Sequence, residues 1–330
     1  MPKNKNTYNY LYEAKKPEVI IFTDKDGTLN LNDESLEKIL IFTRTKGGLV
    51  IPVTGRTVGD IKEEWEAKGL PLPPIIIGDN GAVIYDTKNN EFIKKCELKK
   101  NKISQIIEKF IEIGGSADLI RYTDGEKVYA SKSEKVENYY ESSGKVKFIS
   151  NIENEVQKGK EVTKITLAGT KEQMEEMAKF IKEENLEFWT DIGETKFPTK
   201  SSEDKKYRLD IVSMKARKGK AVDEVIRIIK PIKYMCFGNG NNDISMFKQA
   251  IDDGMYVAVV EGTDEANKII DEIKSYAHKL KRGKVVCIPS NRNYANTAIK
   301  VYTDLLEAIT NELRRNAFID GIKVQSNNVR

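Results

Sequence analysis

Histidine is almost missing from this chain, with a single residue, His278, among 330. That scarcity excludes histidine-rich metal sites and weighs against Ser-His-Asp catalysis, leaving carboxylates, lysines and hydroxyls to do any chemistry. Cysteine is nearly as rare. Cys96, Cys236 and Cys287 are odd in number and far apart, which gives no zinc pattern and fits a reducing compartment. Long apolar runs are lacking too: Val19-Ile20-Ile21-Phe22 is among the longest and is far too short to span a bilayer. The opening MPKNKNTYNYLYEAKK has no apolar segment of the kind a secretory signal needs, so a cytoplasmic protein without membrane contact is expected. Neither sign of charge dominates. Fifty-five Lys and Arg against 51 Asp and Glu leave +4, a balance that does not call for a nucleic-acid partner.

What is present describes a globular protein of about two domains at roughly 150 residues each. Hydrophobic residues make up 39%, charged residues 32%, and the mean hydropathy is −0.52. Short apolar runs at 19–23, 49–53, 75–77, 209–212, 235–237 and 256–260 alternate with helical patterns. Continuous apolar runs suit a parallel sheet covered on both faces, so the expectation is a doubly wound, Rossmann-like α/β core. Leu36, Ile39, Leu40 and Thr43 mark a helix over 33–45, with Asp33 as its N-cap. The middle of the chain differs. Ile103, Ile106, Ile107, Phe110 and Ile111 make one amphipathic helix, and Met174, Met177, Ala178 and Ile181 another. Polar, alternating segments at 127–131 and 161–167 read as half-buried strands around them. An α+β domain inserted over 86–208 is therefore expected, with 1–85 and 209–330 forming the core. The stretch 193–206 reads as a polar loop, and Ile299, Tyr302, Leu306, Ile309 and Leu313 as a last helix.

Chemistry concentrates at strand ends. The run at 19–23 delivers Asp24 and Asp26, two residues apart, to the edge where open α/β sheets bind ligands, and Gly27 lets the chain turn away. Two aspartates so placed could share a hard cation, or divide the work of nucleophile and general acid–base. The run at 49–53 ends in Thr54-Gly55-Arg56, a hydroxyl, a flexible backbone and a guanidinium suited to phosphate oxygens. Lys218-Gly219-Lys220 opens a helical pattern and supplies a cation. The run at 235–237 empties into Gly238-Asn239-Gly240-Asn241-Asn242-Asp243.

In this order DKDGTL, TGR, KGKA and GNGNNDISM resemble the four motifs of the haloacid dehalogenase-like phosphatases. Gly78-Asp79-Asn80-Gly81-Ala82 resembles a segment of the Cof-like branch, whose large cap is inserted between motifs two and three. The resemblance covers about 17–85 and 209–275, and the cap by position and size only. It implies Asp24 as a nucleophile forming an aspartyl-phosphate, and Asp26 as the acid that protonates the leaving oxygen and then activates water. It implies Thr54 and Lys218 as holders of the transferring phosphoryl group, and Mg2+ bound by Asp24, the Asp26 carbonyl, Asn239 and Asp243. Gly55, Arg56, Asn80 and Asn242 become substrate-facing positions. One residue departs from the pattern: Asn239 stands where the family usually has a metal-binding acid, and an amide oxygen brings no charge. Either Asp243 moves inward or Asn239 ligates as a neutral group.

The resemblance implies a Mg2+-dependent phosphomonoesterase for a small phosphorylated metabolite, with sugar phosphates first by analogy. Asp26 argues against halide displacement, because dehalogenases of the superfamily lack that acid. A non-catalytic phosphate-binding protein and a nucleic-acid end-processing phosphatase are the alternatives; Lys279, Lys281, Arg282 and Lys284 support the latter. Lys220 competes with Lys218. Trp189, Arg121, Tyr122 and Lys196 are candidate readers of the leaving group, Met174 and Met177 are expected in the core, and a homo-oligomer remains open.

Overall fold

The computed structural model describes residues 17, 19–29, 48–133, 146–150, 152–195, 206–231, 233–261 and 264–288, with further positions within 36–45, 136–137 and 303–311. In chain order the first elements are β1 (Val19–Thr23), β2 (Gly48–Pro52), α1 (Val58–Ala67), β3 (Ile75–Gly78), β4 (Val83–Asp86) and β5 (Glu91–Lys95). There follow α2 (Lys100–Glu112), β6 (Ile120–Thr123), β7 (Val128–Ser131), β8 (Val146–Ile149), α3 (Ile152–Gln157), β9 (Lys164–Gly169) and α4 (Lys171–Glu183). The last are β10 (Phe188–Glu194), β11 (Tyr207–Ser213), α5 (Lys218–Ile229), β12 (Lys233–Gly238), α6 (Ile244–Asp252), β13 (Tyr256–Val260), α7 (Asp264–Leu280) and β14 (Lys284–Ile288). The chain divides into two compact units, Met1–Pro52 with Asp223–Arg330, and Val53–Val222.

The first unit is built on a five-stranded sheet in the order β14-β13-β12-β1-β2, with every neighbouring pair parallel. Parallel strands need cover on both faces, and the sequence provides it. Val19 to Phe22 are wholly buried, and α6 and α7 bury Met246, Phe247, Ala250, Ile251, Ile269 and Ile273. Strand order runs outward from β1 to β2 on one side and from β12 to β14 on the other. The reversal falls between β1 and β12, and ligands of open α/β sheets bind at the carboxyl ends of strands at such a switch point. Cys236 lies wholly buried on β12, and burial pushes its thiol well above the ordinary range, which disfavours the thiolate.

The second unit carries a six-stranded mixed sheet, β10-β11-β9-β6-β7-β8, antiparallel except between β7 and β8. Alternation sorts its two faces. Ile120, Tyr122, Ile165, Leu167, Leu209 and Ile211 point to one face and form a core with Ile103, Ile106 and Phe110 of α2 and Met174, Met177 and Ile181 of α4. Arg121, Thr123, Lys164, Thr166, Arg208 and Asp210 occupy the alternate positions. A three-stranded antiparallel sheet, β3-β4-β5, belongs to the same unit. The N-terminus of α1 is capped by the Thr57 side chain, which accepts from Asp60 N at 3.1 Å. It also meets the β6–β7 turn, where Val58 N donates to Gly125 O at 2.9 Å and Gly59 N to Glu126 O at 3.2 Å.

The α/β class, with a parallel core sheet and an inserted mixed-sheet cap, is as expected. Two strands sit elsewhere. The run at 209–212 lies in β11, antiparallel between β9 and β10, not in the parallel sheet. The run at 75–77 lies in β3, whose ladder is antiparallel to β4 and whose parallel contact is a single bridge, Val53 to Ile77. Three isoleucines in a row encode cover on both faces, which says nothing about the direction of the neighbours. Gly193 and Glu194, expected in a loop, end β10. Residues 196–205, Asp33 and most of the 299–313 helix lie outside the described residues; Leu36, Leu40, Thr43 and Ile309 are helical.

Candidate active site

In the first unit, the chain leaves β1 through a tight turn. Asp24 N still donates to Phe237 O at 2.8 Å, extending the β1–β12 pairing by one residue. Lys25 O then accepts from Thr28 N and Leu29 N at 3.2 and 2.8 Å, and Gly27 takes φ +80°. Asp24 is 6% exposed, whereas the Asp26 side chain is 49% exposed, so the turn presents one sheltered and one open carboxylate. Lys25 Nζ lies 3.9 Å from Asp26 Oδ1.

The loop after β12 meets this turn. A Cβ built on Gly27 would fall 2.2 Å from Asn239 Nδ2, so the Asn239 amide rests on the glycine and a side chain there would displace it. Asp243 is wholly buried, and its Oδ2 accepts from Asn239 N at 2.9 Å and Gly240 N at 3.0 Å. A Cβ on Gly238 would meet that same oxygen at 2.4 Å. Gly27 thus brings the DKDG turn against the GNGNND loop, and Gly238 lets that loop fold back on its own Asp243. The donors that the turn and the loop carry are all oxygens: the Asp24 carboxylate, the Asp26 carbonyl, the Asn239 amide and the Asp243 carboxylate. That set fits a hard cation such as Mg2+. Among the described residues no three His, Cys, Asp or Glu side chains cluster as a metal group. With an amide at 239 and a main-chain carbonyl from residue 26, the donor set does not need three.

In the second unit, the loops 54–56 and 79–81 are laced together. Thr54 N donates to Ile77 O, Asn80 N to Thr54 O and Asp79 N to Arg56 O, each at 2.9 Å. Arg56 N donates to Thr54 Oγ1 at 3.1 Å, which leaves the hydroxyl proton to be given to another acceptor. Arg56 reaches Glu64 on α1 at 3.2 Å. Asn80 is 1% exposed, and its amide donates to Asp210 Oδ2 at 3.5 Å. A Cβ on Gly81, at φ +93°, would fall 2.5 Å from Arg217 C and O and 2.9 Å from Lys218 N, so this loop packs on the backbone that opens α5. Lys218 is 1% exposed, whereas Lys220 is exposed and donates to Met214 O at 2.9 Å.

Sequence patterns give no role to Asp79 beyond its place in the Gly78–Ala82 segment, and single out none of Thr123, Thr163, Lys164, Thr166, Asp191, Arg208 and Asp210. Asp79 is wholly buried, and its Oδ2 accepts from Thr123 Oγ1 at 2.6 Å and Thr163 Oγ1 at 2.7 Å. Burial pushes its carboxyl above the ordinary range, although the Lys164 charge and both hydroxyls pull the other way. Asp210 is as deeply placed. Burial raises it too, but Arg208, Lys164 and the Thr166 hydroxyl together outweigh burial and hold its carboxyl below the usual range. Thr166 Oγ1 donates to Asp210 at 2.6 Å, Arg208 pairs with Asp210, and Arg208 NH1 lies 3.8 Å from Asp191 Oδ2. Asp191, Asp210, Thr166 and Arg121 are direct cross-strand partners in one row across β10, β11, β9 and β6. The available signal was alternation, since Lys164 and Thr166 in β9 and Arg208 and Asp210 in β11 alternate with apolar residues and mark a charged sheet face.

The remaining candidates are placed as follows. Tyr122 is a core residue stacked on Tyr129 at 4.7 Å, not a reader of ligands. Trp189 packs against Ala82, Cys96, Val212 and Ala216. Met174 and Met177 are in the core. Lys284 donates to Tyr256 Oη at 3.0 Å and Arg282 to Asp252 O at 3.2 Å. Lys196 lies outside the described residues. No helix among the described residues is long and apolar enough to cross a membrane.

The profile of the haloacid dehalogenase-like hydrolases matches residues 21–281. No curated protein matches the chain. Among solved structures, TM0651 from Thermotoga maritima is 20% identical, with a TM-score of 0.61 over 86% of this chain and 96% of its own. BT4131, described as a subclass IIB sugar phosphatase, is 22% identical, with a TM-score of 0.56 over 81% of this chain and 93% of its own. A HAD/COF-like hydrolase from Plasmodium vivax is 16% identical, with a TM-score of 0.61 over 89% and 98%. These likenesses speak for a shared fold, a parallel core with an inserted mixed-sheet cap. The profile match reaches from β1 through α7 and takes in every motif discussed above, and on it the chain belongs to the haloacid dehalogenase-like hydrolases.

Proposed function

We propose that the protein is a phosphomonoesterase acting on a small phosphorylated metabolite, with sugar phosphates the first class to try. One observation carries the reading: Asp24 and Asp26 leave the strand beside the switch point on a turn whose Gly27 carries the Asn239 amide. Two acids two residues apart, one sheltered and one open, suit a nucleophile and a proton carrier. The name of BT4131 supports the sugar-phosphate class by likeness of fold.

In the proposed reaction an Asp24 carboxylate oxygen attacks phosphorus and the ester P–O bond breaks. Asp26 gives its proton to the departing alkoxide. Asp26 then takes a proton from the water that attacks the aspartyl-phosphate, the bond from phosphorus to Asp24 breaks, and inorganic phosphate leaves. The Thr54 hydroxyl, the Gly55 N–H and the Lys218 ammonium hold the equatorial oxygens, where charge builds in phosphoryl transfer. Asp24, the Asp26 carbonyl, Asn239 and Asp243 would hold Mg2+, which when bound offsets the repulsion between carboxylate and phosphate. Arg56, Asn80 and Asn242 are the proposed contacts to the rest of the substrate.

Phosphate release from p-nitrophenyl phosphate and from a panel of sugar phosphates, with and without Mg2+, tests this. Wild-type turnover that Asp24→Asn abolishes is expected. Equal rates in the two proteins would overturn it.

A further inference from the structure

Three successive carbonyls of the 54–56 loop are tied down. Thr54 O and Arg56 O accept from the backbone of Asn80 and Asp79. Gly55 O accepts from Lys164 Nζ at 2.5 Å, and Lys164 stands on β9, 109 residues along the chain. The peptide whose oxygen Lys164 grips has Arg56 N at its other end, and Arg56 N donates to Thr54 Oγ1. A continuous chain therefore runs from ammonium to peptide to hydroxyl. An ammonium on the carbonyl polarises the peptide and strengthens its N–H as a donor.

The same ammonium serves the second loop. Asp79 Oδ1 lies 3.6 Å from Lys164 Nζ and, among the described residues, accepts no hydrogen bond. Asp79 and Asn80 adopt φ of +48° and +55°, left-handed conformations that cost about 1–3 kcal/mol each in residues other than glycine. Such conformations persist only where their surroundings over-determine them. Two threonine hydroxyls and one ammonium do so here.

We propose that Lys164 is a positioning residue: its ammonium, held by Asp79, sets the Gly55–Arg56 peptide and through it aims the Thr54 hydroxyl. The proposal rests on the reading that this hydroxyl receives the transferring phosphoryl group. The lysine side chain is 10% exposed and pairs with a wholly buried carboxylate, so removing one partner also strands the other. The design of the test must separate those effects.

Lys164→Met, Lys164→Arg, Asp79→Asn and the double variant Lys164→Met/Asp79→Asn are compared by thermal midpoint, amide exchange and p-nitrophenyl phosphate kinetics at saturating Mg2+. In Lys164→Met we expect kcat to fall by about 10–100-fold with KM moving less than about threefold, the mark of a misplaced rather than a missing contact. Amide exchange at Arg56, Asp79 and Asn80 should quicken by at least about tenfold, while Ile165 and Leu167 in β9 stay protected. Lys164→Arg should recover part of kcat. The double variant removes both buried charges and should recover the thermal midpoint, but neither kcat nor loop protection. Recovery of kcat together with the midpoint would overturn the proposal, as would unchanged exchange at Arg56 in Lys164→Met. Equal turnover in wild type and Asp24→Asn would sink the phosphatase reading instead, and the exchange data would then decide alone whether Lys164 sets the loop.

Discussion

The two units fix their polar groups by different means. In the five-stranded unit the acids hang on backbone. Gly27 and Gly238 leave room that a Cβ would fill, and two main-chain N–H groups grip one oxygen of Asp243. In the mixed-sheet unit the loops are held by charged side chains from a sheet face, Lys164 on Gly55 and Asp79, and Asp210 on Asn80. The chemistry divides as well. The first unit carries the carboxylates Asp24, Asp26 and Asp243, and the second the Thr54 hydroxyl and the cations Arg56 and Lys218.

The sharpest break in this comparison is Lys218→Met. A neutral side chain of similar length keeps the packing. Turnover should fall by about 10³-fold, as when a donor to developing transition-state charge is lost. Lys220→Met should leave turnover unchanged within about twofold, because its ammonium already serves the Met214 carbonyl. A loss confined to Lys220→Met would reverse the two assignments.

Next in size is the opposite titration of the two buried carboxylates. Asp210 sits below the usual range in the fold, so its contribution to stability is complete above the ordinary carboxylate range and disappears as pH falls through the lower folded value. Asp210→Asn should cost about 2–3 kcal/mol at neutral pH, with the gap to wild type closing in acid. Asp79 is raised, so the wild type loses stability as pH climbs through the carboxylate range towards its folded value. The balance between Asp79→Asn and wild type should shift towards the variant over that climb. Denaturation curves across pH read both slopes, and slopes of the same sign would refute the contrast.

Glycine substitutions compare the units directly. Gly27→Ala places a methyl 2.2 Å from the Asn239 amide at φ +80°, and should cost about 1–3 kcal/mol and raise the Mg2+ requirement. Gly55→Ala meets nothing nearer than Asn80 Oδ1 at 3.1 Å, and should cost less than half as much. Equal losses in the two midpoints would mean that the backbone cradle around Asn239 is no tighter than the side-chain frame around Gly55.

The contrast also explains what could be read from the sequence. Asp24, Asp26 and Gly27 are neighbours in the chain, as are Gly238, Asn239 and Asp243, so a backbone-built site leaves a local pattern. The parallel sheet and the inserted cap were legible for a similar reason, since buried strands and amphipathic helices each write their own period. The Lys164 clamp has no such trace. It joins residues at 55, 79 and 164: the first two lie in motifs that say nothing of a partner, and Lys164 taken alone is an unremarkable polar position. Strand direction was equally hidden: Ile75 to Ile77 and Leu209 to Val212 are as buried as strands of the parallel sheet, and only their partners show otherwise.

The smallest expected change is at Asn239, the one departure from the family's acidic pattern. Asp243 cannot easily move inward to compensate, because its Oδ2 is already held by Asn239 N and Gly240 N at 2.9 and 3.0 Å. Releasing it would leave two N–H donors unpaired beside a wholly buried carboxylate. A carboxylate at 239 would therefore be the simpler way to add charge to the donor set. Asn239→Asp should tighten Mg2+ by about tenfold, since affinity of an oxygen site rises with its ligand charge. Without Mg2+ the same variant should melt lower, because a further carboxylate joins Asp24 and Asp243 with no cation to offset it. Thermal shift against Mg2+ concentration reads both effects without any substrate. If the variant melts no lower in chelator and responds to the same Mg2+ range as wild type, then Asn239 does not face the cation, and the contact between the first and fourth motifs is packing alone.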